Sequence, residues 1–206
     1  RTMTVLEGNE ARAKMASALL LTLPGTPFLY YGEEIGIAGD KPDENLRTPM
    51  HWNGRAGAGF TAGTPWRAPQ ADFAARNVEA QDADPNSLLN LHRKLIHLRA
   101  QNSALGRGTL VPLTTNTPAV AAFVRRDGDR AVLVVANLGT AAVSGATVSS
   151  ADGALPRRSN GPGNNLFGGR AAARLTVGAD GRIQGYVPFT TLAPMEIQVV
   201  DVSASR

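Results

Sequence analysis

The sequence predicts an α+β composite fold in which a mainly helical first half precedes an antiparallel β-sandwich. Three observations support this prediction. Leucines recur at helical spacing in the first half, a single short apolar run stands between turn residues, and the last hundred residues alternate short β-branched runs with turns. With 206 residues and 43% hydrophobic content, the chain has enough apolar sequence for a core. Collagen-like, coiled-coil and grossly disordered classes are therefore excluded.

The first predicted element is a helix over residues 9–23. Ala11, Met15 and Leu19 recur every four residues and would share one helix face. The Pro24-Gly25 pair ends this pattern. The apolar and aromatic run at 26–31 follows and has the length and composition of a buried strand.

Residues 32–83 show no sustained periodicity and are rich in Gly, Pro, Asn and Asp. An irregular segment of that length in a compact domain is usually a functional loop. The Asp84-Pro85 pair then predicts a helix start, because Asp is a good N-cap and Pro suits the first helical position. This second helix is predicted to extend to about Arg99, since leucines repeat every three or four residues.

The second half is predicted to be an antiparallel sandwich. A hairpin is expected from residues 119–126 and 130–138, because the turn 127–129 reads Asp-Gly-Asp. Gly, Pro and Asn clusters separate the remaining strand candidates, which are residues 171–177, 183–187 and 195–202.

Charge and composition exclude several partner classes. Residues 1–105 carry eleven basic and eleven acidic side chains, so the net charge of +4 comes from residues 106–206, where the arginines are scattered. We therefore expect no nucleic-acid partner. Cysteine is absent, and no stretch approaches the roughly 20 apolar residues of a membrane span. We expect a soluble protein, and the sequence leaves open whether its compartment is extracellular or cytoplasmic.

Three segments resemble the α-amylase superfamily of glycoside hydrolases. Residues 24–36, reading PGTPFLYYGEEIG, resemble the eighth strand of its catalytic barrel and the loop that follows. Residues 41–52, reading KPDENLRTPMHW, resemble a segment typical of its α-glucosidase and oligo-1,6-glucosidase branches and of bacterial α-amylases intermediate between the oligo-1,6-glucosidase and neopullulanase groups. Residues 84–99 resemble the eighth barrel helix.

The resemblance implies a division into two domains. Residues 1–105 would be the last βα unit of a (β/α)₈ barrel, and residues 106–206 a β-sandwich C-terminal domain. Such a barrel needs about 250 residues, so this chain cannot close one alone. By resemblance, the family's nucleophile, acid/base glutamate and stabilising aspartate lie upstream, which leaves no catalytic residue in this chain.

Arg47 is the strongest candidate for substrate binding. Its guanidinium offers five donors in a fixed fork, which suits sugar hydroxyls or a carboxylate. The matching arginine of the glucosidase branches lines the subsite for the non-reducing glucose. Trp52 and Trp66 are further candidates, because an indole can stack on the apolar face of a glucose ring, although both suit a loop anchor equally well. His51 departs from the glutamine usual after methionine.

Four carboxylates are assigned supporting roles. Glu33 and Glu34 are adjacent, so an extended chain would point them to opposite faces, and the family position is mainly structural. Asp43 and Glu44 precede Arg47, and either orient it or remain solvated loop acids.

No cofactor and no metal site are predicted. His92 and His97 are five residues apart on the second helix, about 140° apart in projection, and no carboxylate completes a site. Calcium remains open for a parent enzyme, although Asp40, Asp43 and Asp82 match no known calcium loop.

The predicted function is the C-terminal part of a retaining α-amylase or α-glucosidase that acts on starch or malto-oligosaccharides. Two alternatives stay open. The chain is a noncatalytic α-glucan-binding module that uses the aromatic loop from Thr48 to Trp66, or a minimal hydrolase that uses carboxylates outside the family pattern, Glu79 among them. A lone barrel strand exposes unpaired edges, so self-association is also expected.

Overall fold

A computed structural model describes residues 1–156, 159, 161–167 and 169–204. The chain divides into two compact units. The first unit contains residues 1–17 and 27–94, and the second contains residues 18–26 and 95–206. The predicted domain boundary near residue 105 stays a prediction. Within the described part of the chain, no helix is both long and apolar enough to cross a membrane.

Six helices are present among the described residues. They are α1 (Thr2–Val5), α2 (Glu10–Thr22), α3 (Asp43–Leu46), α4 (Val78–Ala83), α5 (Leu88–Gln101) and α6 (Ser103–Arg107). Two short 3₁₀ turns, Glu33–Ile35 and Ala56–Gly59, lie in the loop region. The helix predicted over residues 9–23 is therefore confirmed as α2.

The second long helix starts later than Asp84. The Oδ1 atom of Asp84 accepts from the backbone N–H of Asn86 at 2.9 Å, which forms a local turn. Ser87 is the residue that caps α5, because its Oγ accepts from the N–H of Asn90 at 3.1 Å. The predicted N-cap at Asp84 is wrong by three residues, since aspartate satisfies a turn as readily as a helix end.

Residues 26–31 do not form the buried strand that their composition predicts. The described residues of the first unit contain no strand, so this segment has no ladder partner. Phe28 is 86% exposed, and Leu29, Tyr30 and Tyr31 are exposed as well. Strand composition cannot produce a strand without a neighbour to share its backbone hydrogen bonds.

Glu33 and Glu34 lie in a 3₁₀ turn rather than in extended chain. Glycines with positive φ bracket the turn, at 82° for Gly32 and 74° for Gly36. A Cβ atom at Gly32 would lie 2.6 Å from the side chain of Ile37, so this bend requires glycine.

The second unit is built on a five-stranded antiparallel sheet with the order β1-β3-β4-β11-β8, beside which three strand pairs form. The pairs are β2 with β6, β5 with β10, and β7 with β9. The strands are β1 (Thr109–Pro112), β2 (Thr114–Thr115), β3 (Val120–Asp127), β4 (Arg130–Asn137), β5 (Val143–Ser144), β6 (Val148–Ser149), β7 (Gly161–Pro162), β8 (Asn164–Asn165), β9 (Arg174–Leu175), β10 (Thr191–Leu192) and β11 (Ile197–Asp201).

The predicted hairpin is confirmed as β3 and β4. Its register runs from Val120 opposite Asn137 to Asp127 opposite Arg130. Strand β4 is buried on both faces, because Leu133 joins the main hydrophobic cluster while Val134 is also fully buried and α6 contacts this strand. Continuous apolar sequence in this strand thus matches a central position in the sheet.

The other strand predictions are only partly correct. The candidate at 195–202 forms β11, whereas the one at 171–177 contributes only the two residues of β9. The candidate at 183–187 forms no strand, and its Tyr186 makes one isolated bridge with Val148. Gly185, which has a positive φ, interrupts the run at 183–187, and Gly181, also at positive φ, lies in the turn before it.

Candidate functional site

Arg47 lies at the surface, directly after α3. Its Nη2 donates to the carboxylate of Asp43 one helical turn earlier, and the two side chains are 61% and 64% exposed. The structure therefore brings Asp43, but not Glu44, to Arg47. The remaining N–H donors of Arg47 have no partner among the described residues.

A pocket of about 540 Å³ opens beside this loop. One wall comes from residues 39–48 and the other from residues 66–70. Its lining residues are Gly39, Asp40, Asn45, Thr48, Trp66, Arg67, Ala68 and Gln70. Of the predicted binding residues, Trp66 lines this pocket, whereas Arg47 and Trp52 do not.

Both tryptophans are accessible to solvent. Trp66 is 75% exposed and Trp52 is 50% exposed. Stacking on a sugar and anchoring a loop therefore both stay predictions for these two residues.

Thr48 forms a buried part of the pocket wall. The residue is 4% exposed, and the hydroxyl of Tyr31 donates to its carbonyl oxygen at 2.9 Å. Desolvation, and secondly the neighbouring Tyr30, raise the pKa of Tyr31, so that its hydroxyl stays protonated as a donor. The Oγ1 atom of Thr48 itself is buried and has no hydrogen-bond partner.

Polar side chains connect the two walls. Arg67 Nη2 donates to Asn45 Oδ1 at 2.5 Å, and Gln70 Nε2 donates to the carbonyl of Asn45 at 3.4 Å. Gly39 packs closely against the same carbonyl, since a Cβ atom there would lie 2.5 Å from it. These contacts join the two walls.

His51 is a structural residue. The ring is fully buried, and its Nδ1 lies 2.9 Å from the carbonyl of Arg76 while its Nε2 accepts from the N–H of Gln70 at 3.2 Å. The partner of Nδ1 is a carbonyl oxygen, which accepts, and the partner of Nε2 is a backbone N–H, which donates. This arrangement requires a neutral ring with its proton on Nδ1. Both nitrogens are used inside the protein, so neither remains for a substrate.

Glu33 anchors the loop to the start of the chain. It pairs with the buried guanidinium of Arg1 at 3.5 Å and accepts from the N–H of Thr2 at 3.2 Å. Arg1 also donates to the carbonyls of Tyr31 and of Leu46, the residue before Arg47. Glu34 is half-buried and makes no such contact with the described residues.

The calcium candidates are used elsewhere. Asp43 pairs with Arg47, Asp82 pairs with Arg93, and an oxygen of Asp40 accepts from the following N–H at 2.8 Å. No group of three or more metal-ligating side chains forms among the described residues. The expectation that this chain holds no metal stays a prediction.

The two histidines of α5 differ in environment. His92 is buried and contacts the carbonyl of Leu88 through Nδ1 at 2.9 Å, whereas His97 is exposed. His92 is thus a packing residue, and among the described residues His97 belongs to no group of three or more metal-ligating side chains.

Sequence reasoning did not single out four residues of this region. Arg1, Asn45 and Gln70 carry no local signal, because they matter only through residues far along the chain. Arg67 follows Trp66 directly, and a basic residue beside a loop tryptophan could have marked it.

Comparison with known proteins places the chain in context. A family model described as "Alpha amylase, catalytic domain" matches residues 1–108. The chain is 38% identical over 154 residues to the trehalose synthase of Pimelobacter sp. (strain R48), which covers 67% of this chain and 26% of that protein. It is 32% identical over 168 residues to a probable oligo-1,6-glucosidase 2 of Bacillus subtilis, covering 64% and 30%.

Solved structures confirm the predicted fold class. The isomaltulose synthase of Klebsiella sp. LX3 has a TM-score of 0.69 and 25% identity, covering 93% of this chain and 38% of that one. The D241A mutant of the Erwinia rhapontici NX5 isomaltulose synthase, in complex with D-glucose, has a TM-score of 0.68 and 24% identity, covering 95% and 38%. The chain thus spans between about a quarter and two fifths of these relatives.

Proposed function

Because this chain belongs to the α-amylase family of glycoside hydrolases, we propose that it forms the C-terminal part of a retaining α-amylase or α-glucosidase. The family model covers more than half of the chain. The substrates we infer are the α-glucosidic bonds of starch or malto-oligosaccharides. In this proposal residues 1–105 supply the last βα unit of the barrel, and residues 106–206 act as a scaffold.

The chain would contribute to sugar binding rather than to bond cleavage. Retaining hydrolysis needs two carboxyl groups about 5 to 5.5 Å apart, one as nucleophile and one as acid. Glu33, Asp43 and Glu79 each pair with an arginine here, namely Arg1, Arg47 and Arg55. Each of these carboxylates would have to break its ion pair before it could approach a sugar. This pairing supports a catalytic pair outside the chain.

The main support for a binding role is the exposed, partly unpaired guanidinium of Arg47. Its guanidinium stands at the surface with one carboxylate holding it in place, and its other donors point to no described partner. An arginine oriented in this way can donate to the vicinal hydroxyls of a terminal glucose.

A noncatalytic α-glucan-binding module is the second candidate. The exposure of Trp52, Phe60 and Trp66 in one loop region favours it, since exposed aromatic rings are the usual contact surface for sugars. In the second unit Phe123, Tyr186 and Phe189 are buried, which supports a scaffold role there.

The test is hydrolysis of soluble starch and of a chromogenic α-glucoside by the purified chain, together with a maltose titration. We expect no turnover, and we expect Arg47→Ala to lose maltose binding. Arg55→Ala is the matched control, because Arg55 is also an exposed arginine in a surface ion pair.

Two results would contradict the proposal. Turnover that survives rigorous removal of host amylase and falls in Glu34→Gln would point to a minimal hydrolase. Equal maltose binding by Arg47→Ala and the unsubstituted chain would remove the role of Arg47.

A further inference from the structure

We infer that Arg1 and Tyr31 are positioning residues, which fix the backbone on both sides of Arg47 and so set the orientation of its guanidinium. They hold the carbonyl oxygens of Leu46 and Thr48, the two sequence neighbours of Arg47. We call Arg1, Tyr31 and these two carbonyls the clamp. The value of the clamp for sugar binding rests on the proposed function, whereas its contacts do not.

Arg1 holds the first carbonyl with two donors. Its Nε and Nη2 donate to the carbonyl oxygen of Leu46 at 3.1 and 2.7 Å. Leu46 is the last residue of α3, and the last carbonyls of a helix have no partner within the helix. With only four residues, α3 is also too short to be stable by itself. The guanidinium of Arg1 therefore fixes the end of α3 directly before Arg47.

The guanidinium of Arg1 is itself held in place. Its side chain is 1% exposed, and Nη1 donates to the carbonyl of Tyr31 and pairs with Glu33 at 3.5 Å. The guanidinium carbon lies 4.5 Å from the ring centre of Tyr30 and 4.7 Å from that of Tyr31. At such distances the faces of aromatic rings attract a cation. Arg1 thus has a fixed position from which it holds Leu46.

Tyr31 holds the second carbonyl. Its hydroxyl donates to the carbonyl oxygen of Thr48 at 2.9 Å, and Thr48 is buried. Desolvation raises the pKa of Tyr31, which keeps the donating proton in place. Since the backbone carbonyl of Tyr31 accepts from Arg1, the two halves of the clamp meet at this residue.

Arg47 depends on the clamp because its own side chain is held weakly. Among the described residues the guanidinium pairs only with Asp43, and both side chains are mostly exposed. This pair joins residues four positions apart, so it forms only while α3 keeps its helical backbone.

An orientation that is fixed before binding improves affinity. A long side chain that must become ordered when a ligand arrives reduces the free energy of binding. If the backbone at residues 43–48 is already fixed, Arg47 has fewer orientations to lose. Arg1 and Tyr31 would thus strengthen sugar binding without touching the sugar.

The test measures the mobility of Arg47 in the chain without ligand, and then the affinity for maltose. NMR relaxation of the Arg47 Nε–H and of the backbone amides of residues 43–48 reports this mobility. In Arg1→Met we expect the order parameters of these amides to fall from about 0.85, typical of rigid backbone, towards the flexible range below about 0.6. Maltose affinity should fall about tenfold, the scale expected for ordering one long side chain.

Two conservative variants separate geometry from charge and one half of the clamp from the other. Arg1→Lys keeps the positive charge but replaces the planar fork by a single ammonium group, so it should not restore the order of residues 43–48. Tyr31→Phe keeps the ring beside Arg1 and removes only the bond to Thr48. It should loosen residues 47 and 48 while residue 46 stays ordered.

Asn77→Ala is the control for a general loss of stability. Asn77 is buried in the first unit and caps α4, because its Oδ1 accepts from the N–H of Ala80 at 2.8 Å. The variant should lower the melting temperature but leave the order of residues 43–48 unchanged. All variants are measured below their melting transitions, so that each is compared in its folded state.

The outcomes separate this inference from the proposed function. Lower order of residues 43–48 in Arg1→Met, but not in Asn77→Ala, supports the clamp. Unchanged order in Arg1→Met, or full order in Arg1→Lys, overturns it, as does unchanged maltose affinity when order is lost. An unsubstituted chain that binds no maltose would contradict the proposed function, and the order of Arg47 would still decide whether the clamp positions it.

Discussion

The guanidinium of Arg125 donates through Nη1 to the carbonyl of Thr22 at 2.5 Å, although the two residues are 103 positions apart. Thr22 is the last residue of α2, whose final carbonyls have no partner within the helix. Arg125 also donates through Nη2 to the carbonyl of Gly108 at 2.8 Å. A side chain on β3 thus closes the end of a helix.

Arg99 completes the same cap. It donates to the carbonyls of Leu21 and Leu23 at 2.9 Å and of Gly25 at 2.5 Å. Burial lowers the pKa of both guanidinium groups, and the charge of Arg99 lowers that of Arg125 further. The last turn of α2 contains no basic residue of its own. The two buried cations therefore lie against the negative end of a helix dipole, which stabilises their charge.

Replacement of Arg125 should be among the most destabilising single changes in the second unit. Arg125→Met leaves two carbonyls without their donor, and each loss costs about 1–3 kcal/mol, so we expect the free energy of unfolding to fall by about 2–4 kcal/mol. Denaturant titration followed by circular dichroism measures this change.

Arg126→Met is the control for Arg125. Arg126 is the next residue. Among the described residues it donates only to the exposed carbonyl of Gly128, at 3.0 Å, so its loss should change stability by less than about 0.5 kcal/mol. Equal effects of the two substitutions would mean that the cap contributes nothing.

His51→Phe should destabilise the first unit by removing two buried hydrogen bonds. The phenyl ring has a similar shape but leaves the N–H of Gln70 and the carbonyl of Arg76 unpaired, at a total of about 2–4 kcal/mol. Thermal unfolding measures the loss, and the exposed His97→Phe serves as the matched substitution.

The tautomeric state of the His51 ring is a second measurement of the same hydrogen bonds. We expect NMR to show one neutral tautomer with the proton on Nδ1, protected from solvent exchange. A ring in two tautomers, or a stable His51→Phe variant, would show that these hydrogen bonds do not form.

Tyr186 should make the protein sensitive to strong alkali. Burial raises its pKa to about 12, and its hydroxyl donates to the carbonyl of Ala173 at 2.6 Å. The folded state therefore holds this proton more tightly than the unfolded state, whose tyrosines titrate near 10. Its contribution to stability is complete below pH 10 and is lost as the pH rises through about 12.

Absorbance titration tests this prediction, since the chain has only three tyrosines. Tyr186→Phe should remove the component that ionises near pH 12 and should flatten the fall in unfolding free energy above pH 10. A Tyr186 that ionises together with an exposed tyrosine would contradict the burial of its hydroxyl.

The exposed segment 26–31 should drive self-association. Its backbone lacks a ladder partner among the described residues, and Phe28 is 86% exposed. Phe28→Lys places a charge on this edge and should shift the chain toward monomer, because edge charges oppose strand pairing. Sedimentation velocity across a range of concentrations measures the shift.

Phe60→Lys provides the comparison for Phe28. Phe60 is 53% exposed but lies next to a 3₁₀ turn, so it should leave association unchanged. A monomeric unsubstituted chain with one sharp unfolding transition would refute this prediction.

Local patterns determined the elements whose stability is local. The leucine repeat determined α5, and the Asp-Gly-Asp turn determined the β3–β4 hairpin, because helix periodicity and turn geometry involve only neighbouring residues. The family motifs at 24–36 and 41–52 likewise identified the family from sequence order alone. Arg47, Trp52 and Trp66 were found in the same way, and their sugar contacts stay predictions.

Tertiary structure decided what depends on distant partners. Residues 26–31 have strand composition but no strand, because a strand exists only where a second one supplies its hydrogen bonds. Arg125 reads as one scattered arginine in the sequence, yet its fully buried guanidinium caps a helix 103 residues away. The sequence alone specifies which residues carry charge or aromatic surface, whereas burial and hydrogen-bond geometry, which only folding creates, decide which of them remain available to a ligand.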